Sequence, residues 1–176
     1  TTSGGTTNGG NGTGCTQNCG TTTTVEPQKK PCTGAAAFGS LFDVGNVFGI
    51  RSGFGPRVHP ITGEVGKPHT GLDILSPQGT RLISPIDGEV QDSAFETNGG
   101  GNTIRVRGTG AFRGYTAGFG HLSRLDVSAG ETVTMGATLG LTGGLRGTPG
   151  AGGSTGAHLH FSVKVGGAFI DPAPCY

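Results

Sequence analysis

Glycine recurs along the whole chain, 38 times in 176 residues, and that spread removes most ways of building a core. Each glycine inside a helix costs about 1 kcal/mol relative to alanine. Long helices are therefore disfavoured, and turn-rich β structure is the expectation. Hydrophobic residues make up 32% of the chain and charged residues 13%, so the core must come from short apolar clusters set between turns. The length suits one domain of ordinary size, with about thirty residues left for an appendage.

The appendage lies at the start. Thr1 to Thr24 is nearly all Thr, Gly and Asn, with no apolar periodicity, and a segment of that composition cannot bury a core of its own. Residues 1–34 are thus expected to form a flexible, cysteine-bearing Gly/Thr-rich arm, with the folded domain spanning 35–176. Within that domain, short apolar runs between Gly, Pro and Asn-Gly signals place strands near Arg81–Ile83, Gly88–Ser93, Thr103–Arg107, Tyr115–His121, Thr132–Thr134, Thr138–Thr142 and His158–Val165. Ala35–Asp43 has room for one or two helical turns. The fold class expected is all-β, a mainly antiparallel sandwich or open barrel.

Charge excludes one class of partner. Twelve basic and eleven acidic side chains give a formal charge of +1, and only Lys29-Lys30 form a basic pair, too little to neutralise a nucleic-acid backbone. No apolar run approaches the roughly 18 to 20 residues of a membrane span, and the first residues do not read as a signal peptide. The chain is expected to be soluble, with any export leader absent from it. The four cysteines, Cys15, Cys19, Cys32 and Cys175, sit at the two ends in a poor zinc-finger spacing, so disulfides are the better reading. Of the three connectivities, Cys15–Cys19 with Cys32–Cys175 is favoured, which implies an oxidising compartment.

The histidines carry the chemistry. In GAHLHFSVKV, Gly156 to Val165, the residues Phe161, Val163 and Val165 alternate with Ser162 and Lys164, the period of a strand with one buried face. His158 and His160 then project together on the opposite face. His69 and Asp73 form an H-x-x-x-D pair; Pro68 and Gly71 disfavour a helix there, so the pair is expected on a strand and its approach loop. His121 follows the Tyr115–Phe119 run. Each piece alone is weak, because lone histidines and His/Asp pairs are usually solvated or structural. Together they fit zinc, which takes imidazole nitrogen and carboxylate oxygen and uses three protein ligands in a catalytic site. Two His and one Asp leave a net +1 at such a centre, and two further imidazoles remain to move a proton and stabilise an oxyanion.

The ordered set SGFGPRVHPITG (Ser52–Gly63), HTGLD (His69–Asp73), SPQGT (Ser76–Thr80), GHLS (Gly120–Ser123), STGAHLHF (Ser154–Phe161) and IDPAP (Ile170–Pro174) resembles the lysostaphin-type (LytM-like) zinc endopeptidases, over about Val47 to Pro174. The resemblance implies hydrolysis of the peptide part of bacterial peptidoglycan, one zinc ion, and a β domain with its site in a groove walled by loops. It places the metal ligands at His69, Asp73 and His160 and the catalytic histidines at His121 and His158. It makes His59 either structural or substrate-facing. It also implies action outside the cytoplasm, periplasmic, secreted or virion-associated, and the arm would suit tethering to a larger assembly. An inhibitory role for Ala35–Asn46, with Asn46 reaching the metal, is a further implication.

The chain departs from the family pattern in three places. Ser162 stands where an acidic residue is usual, and Phe119 where a Tyr is often found, which loses a hydroxyl unless Tyr115 replaces it. A Gly-rich stretch, Gly144–Gly153, is inserted before STGAHLHF and is expected to shape access to the groove. The alternative of another class is a domain of the same fold that binds wall or a partner without catalysis. Such domains typically lack metal ligands, whereas this chain has all three.

Overall fold

The computed structural model describes Cys32, residues 37–59 and residues 62–176; the first pair of cysteines, the Lys29-Lys30 pair and most of the arm lie outside them. In chain order the strands are β1 (Ile50–Ser52), β2 (Gly55–Arg57), β3 (Lys67–His69), β4 (Leu72–Ile74), β5 (Arg81–Ile83), β6 (Gly88–Glu96) and β7 (Gly101–Gly108). They continue as β8 (Tyr115–Gly120), β9 (Arg124–Leu125), β10 (Thr132–Val133), β11 (Thr138–Leu141), β12 (Leu159–Val165) and β13 (Ala168–Ile170). Every pairing between them is antiparallel.

The main sheet runs β1-β4-β12-β8-β7-β6-β10, and β13 shares one edge of β12 with β4. A three-stranded sheet, β5-β11-β9, and a two-stranded ribbon, β2-β3, complete the architecture. The expected antiparallel all-β fold is borne out. All seven anticipated strands are present, β6 and β7 longer than expected. The strand expected at the His69/Asp73 pair is two, β3 and β4, while β1, β2, β9 and β13 were not anticipated; each has three residues or fewer, too short to show a period. Ala35–Asp43 departs from expectation: in its described part, 37–43, there is no helix, and Phe42 instead bridges to Leu82 of β5.

Alternation on the main sheet separates core from groove. Leu159, Phe161 and Val163 of β12, Ala117 and Phe119 of β8, Ile104 and Val106 of β7 and Leu72 and Ile74 of β4 all point inward and are buried. Leu41, Phe42, Leu82, Ile86 and Leu139 close the core from the other side. Each fully buried side chain of this size contributes about 1.5–3 kcal/mol. The opposite face of the same strands is left to His160, Ser162 and Lys164 of β12 and to Thr116, Gly118 and Gly120 of β8, which line a groove of about 840 Å³.

Two tertiary links tie the ends together. Cys32 and Cys175 form a disulfide with a Cα–Cα distance of 4.9 Å, the second of the two expected bonds. Asn46 accepts a hydrogen bond from Leu41 N and donates one to Tyr176 O, both at 2.8 Å. It therefore latches the entry segment to the C-terminal residue, which corrects the expectation that Asn46 reaches the metal site.

Candidate active site

Three short strands bring His69, Asp73 and His160 together. His69 ends β3, Asp73 is the middle residue of β4, and Asp73 faces His160 directly across the β4–β12 ladder. The chain between His69 and Asp73 turns at Gly71, where a Cβ would overlap the Phe161 carbonyl and come within 2.9 Å of the His160 ring. Only glycine allows β4 to lie this close to β12, which explains the G of HTGLD.

The donor atoms converge. His69 Nε2 is 3.1 Å from Asp73 Oδ1 and 3.2 Å from His160 Nδ1, and His160 Nδ1 is 3.1 Å from Asp73 Oδ1. Tetrahedral ligands held 2.0–2.1 Å from zinc lie roughly 3.3 Å from one another, so the three atoms have the spacing of three corners of a zinc site. Their chemistry fits as well. His69 Nδ1 is 2.6 Å from Gly53 O; its proton is donated to that carbonyl, which leaves the Nε2 lone pair facing the other two donors. The residues present can hold a divalent metal, and all three line the groove.

Arg57 completes this arrangement, and the sequence reading assigned it no role. From β2 it donates through Nη1 to Asp73 Oδ2 and to Ser52 Oγ, both at 2.6 Å. One carboxylate oxygen is thereby fixed by the guanidinium while the other faces the histidines. Burial alone would raise the Asp73 carboxyl, but the adjoining His160 and His69 rings and the Arg57 guanidinium outweigh it and hold the group well below the usual carboxylate range. Arg57 lay within a quoted motif, but its target is sixteen residues away and on another sheet.

His121 and His158 stand beside the cluster with their ring centroids 4.7 Å apart. His158 is 6% exposed; its Nδ1 donates to Gly156 O at 2.7 Å, and its Nε2 lies 3.5 Å from Asp73 Oδ1. His121 Nδ1 donates to Ala151 O at 2.9 Å. In both rings the backbone carbonyl fixes the tautomer, so Nε2 carries the lone pair. Burial, reinforced by His158 and His160, pushes His121 down to about 4, and burial also lowers His158. Both are neutral at neutral pH and able to accept a proton. His121 has φ +62°, a left-handed backbone costly for a residue with a side chain and often found at functional sites.

The surrounding motifs hold these rings. Ser154 Oγ donates to Gly144 O at 2.6 Å and lies 3.1 Å from His158 Nδ1, closing the base of the Gly-rich stretch. That stretch also supplies Ala151 O to His121, so it does more than border the groove. Thr142 Oγ1 donates to Pro77 O at 2.6 Å and accepts from Thr80 N at 3.0 Å, which anchors SPQGT. His59 lines the groove and accepts from Thr62 N through Nδ1 at 3.1 Å, which holds its own turn together. Tyr115 cannot replace the missing hydroxyl: it packs edge-on against Phe38 at 5.6 Å, and Phe119 stacks on Phe161 in the core.

An antiparallel β domain that gathers a His/Asp/His donor set and two proton-accepting histidines in one groove has the parts of a metal-dependent hydrolase. Residues 67–172 match peptidase family M23, and the chain belongs to that family. It is 36% identical over 124 residues to the peptidoglycan DD-endopeptidase ShyC of Vibrio cholerae, a match covering 70% of this chain and 26% of that protein. The chain spans about a quarter of the length of the curated relatives it matches. Among solved structures it resembles a zinc-containing peptidase from Vibrio cholerae, with TM-score 0.63, 30% identity, and coverage of 79% of this chain and 40% of that one. It also resembles the catalytic domain of lysostaphin from Staphylococcus simulans, with TM-score 0.62, 28% identity and coverage of 73% and 92%. The lysostaphin-type resemblance read from the motifs is thus borne out.

Proposed function

We propose that this domain is a zinc-dependent endopeptidase that hydrolyses peptide bonds of bacterial peptidoglycan outside the cytoplasm. The observation that carries this reading is the trio of donor atoms 3.1–3.2 Å apart at the floor of an open groove. His69, Asp73 and His160 would hold the ion, which would supply Lewis acidity toward the scissile carbonyl and the attacking water. The name of the Vibrio cholerae relative, a peptidoglycan DD-endopeptidase, supports peptidoglycan as the substrate class, and the Cys32–Cys175 disulfide supports an oxidising compartment.

The proton chemistry belongs to His121 and His158. An Nε2 lone pair takes the proton of the attacking water as the new C–O bond forms. The imidazolium so formed hydrogen-bonds the developing oxyanion or returns the proton to the leaving amine as the C–N bond breaks. The carbonyls of Ala151 and Gly156 hold each ring in the tautomer this requires. Arg57 keeps Asp73 ionised and oriented.

The test is metal content and digestion of purified peptidoglycan, with His160→Ala beside the wild type. We expect about one zinc per chain and wall digestion for the wild type, and neither for the variant. Zinc without digestion of any wall type would overturn the enzymatic reading, and absence of zinc would overturn the site assignment.

A further inference from the structure

The groove continues beyond the histidines along β12 and β8, and its charges are distributed unevenly. Most cations that line it are already neutralised: Arg57 by Asp73 at 2.6 Å, Lys67 by Glu64 at 3.3 Å, and Arg105 by Asp92 and Glu96, both at 2.7 Å. Two are not, Arg51 of β1 and, on the same face of β12 as His160, Lys164. Among the described residues no carboxylate lies within ion-pair distance of Lys164. Its Nζ instead sits 4.5 Å from the centroid of the Phe169 ring, its direct cross-strand neighbour on β13. On its other side it faces Thr116 of β8. All three residues line the groove, and the ring is 41% exposed.

The floor between Lys164 and the metal ligands is uncharged and low. His160, Ser162 and Lys164 follow one another on one face of β12, and Ser162 pairs with Gly118. An extended peptide lying on this floor with its reacting carbonyl at His160 reaches Lys164 after about 13 Å, four residues at 3.3 Å each. Ser162 stands on that path where a carboxylate would repel an anion, and Glu96, which also lines the groove, is paired with Arg105.

We propose that Lys164, seated against Phe169, forms a subsite for a carboxylate of the substrate peptide, four residues along the groove from the bond that is cut. The inference rests on the hydrolase reading above and deepens it. The ring holds the ammonium in place by cation–π attraction and offers an apolar wall to the substrate backbone. The carboxylate can belong to a side chain within the peptide or to its free C-terminus.

The experiment uses the zinc-loaded chain and soluble peptidoglycan fragments in three forms: native, with all free carboxyls converted to amides, and with only the C-terminal carboxyl removed. For the wild type, full amidation should lower kcat/KM about tenfold through KM, the size of one charge-assisted contact discounted for a half-exposed lysine. Lys164→Met should cut native and amidated fragments with the same, reduced kcat/KM, and Lys164→Arg should restore the preference. A loss seen already with the C-terminal carboxyl removed assigns the contact to the terminus, and a loss seen only on full amidation assigns it to a side chain. Equal cutting of native and amidated fragments by the wild type, or an undiminished preference in Lys164→Met, overturns the subsite and leaves the hydrolase reading standing. Failure of the zinc-loaded wild type to cut any form overturns the hydrolase reading, and the subsite with it.

Discussion

At the scale of single residues, the site separates side chains that would bind metal from side chains that would move protons, and substitutions should divide the same way. His121 touches none of the three donor atoms and is held by a backbone carbonyl. His121→Ala should therefore keep its zinc, measured by elemental analysis, while kcat falls by about 100- to 10,000-fold, the usual worth of a general base. Arg57 has the converse role. It contacts Asp73 but none of the histidines, so Arg57→Met should weaken zinc binding about 10- to 100-fold in a chelator competition, as expected when the partner of a ligand is removed. A variant that retained full affinity would show that Asp73 needs no such support.

At the scale of elements, the site depends on how closely short strands approach one another. Gly71→Ala would drive a methyl group into the Phe161 carbonyl and toward the His160 ring, so β4 and β12 would have to separate. The expected outcome is loss of zinc together with a lower Tm, since both depend on the same ladder. The Gly144–Gly153 stretch acts differently: Asn102 N donates to Gly150 O, Gly153 N donates to Gly99 O, and Ala151 O receives the His121 proton. Deleting Leu145–Gly152 should spare zinc binding and lower kcat, because His121 loses the carbonyl that sets its tautomer. Unchanged kcat after the deletion would show that the stretch serves neither access nor catalysis.

At the scale of the whole molecule, the disulfide and the metal would both stabilise a domain whose strands are short. Cys32 and Cys175 close a loop of 143 residues, for which the chain-entropy model gives up to about 5 kcal/mol. Cys32→Ser should lower Tm by about 10 °C, and reducing agent should have the same effect on the wild type and none on the variant. Zinc would bind the folded chain through three separate strands, so a chelator should lower Tm as well, by mass action.

Much of this was legible in the sequence for a simple reason: the central strands of the main sheet, β6, β7, β8 and β12, are long enough to show alternation. Phe161 and Val163 alternate with His160 and Ser162, and that period alone assigned one face of β12 to the core and the other to the groove. Glycine abundance argued against long helices, and the order of the histidine motifs pointed to a family. Strands of two or three residues such as β2, β3 and β13 carry no period, so the ribbon that delivers Arg57 and the strand that places Phe169 beside Lys164 could not be read. Nor could the carbonyl partners of His121 and His158, because a backbone carbonyl has no signature in residue order. Which residue types meet was written along the chain. Which atoms face each other was decided by register, turn geometry and packing between segments far apart in sequence.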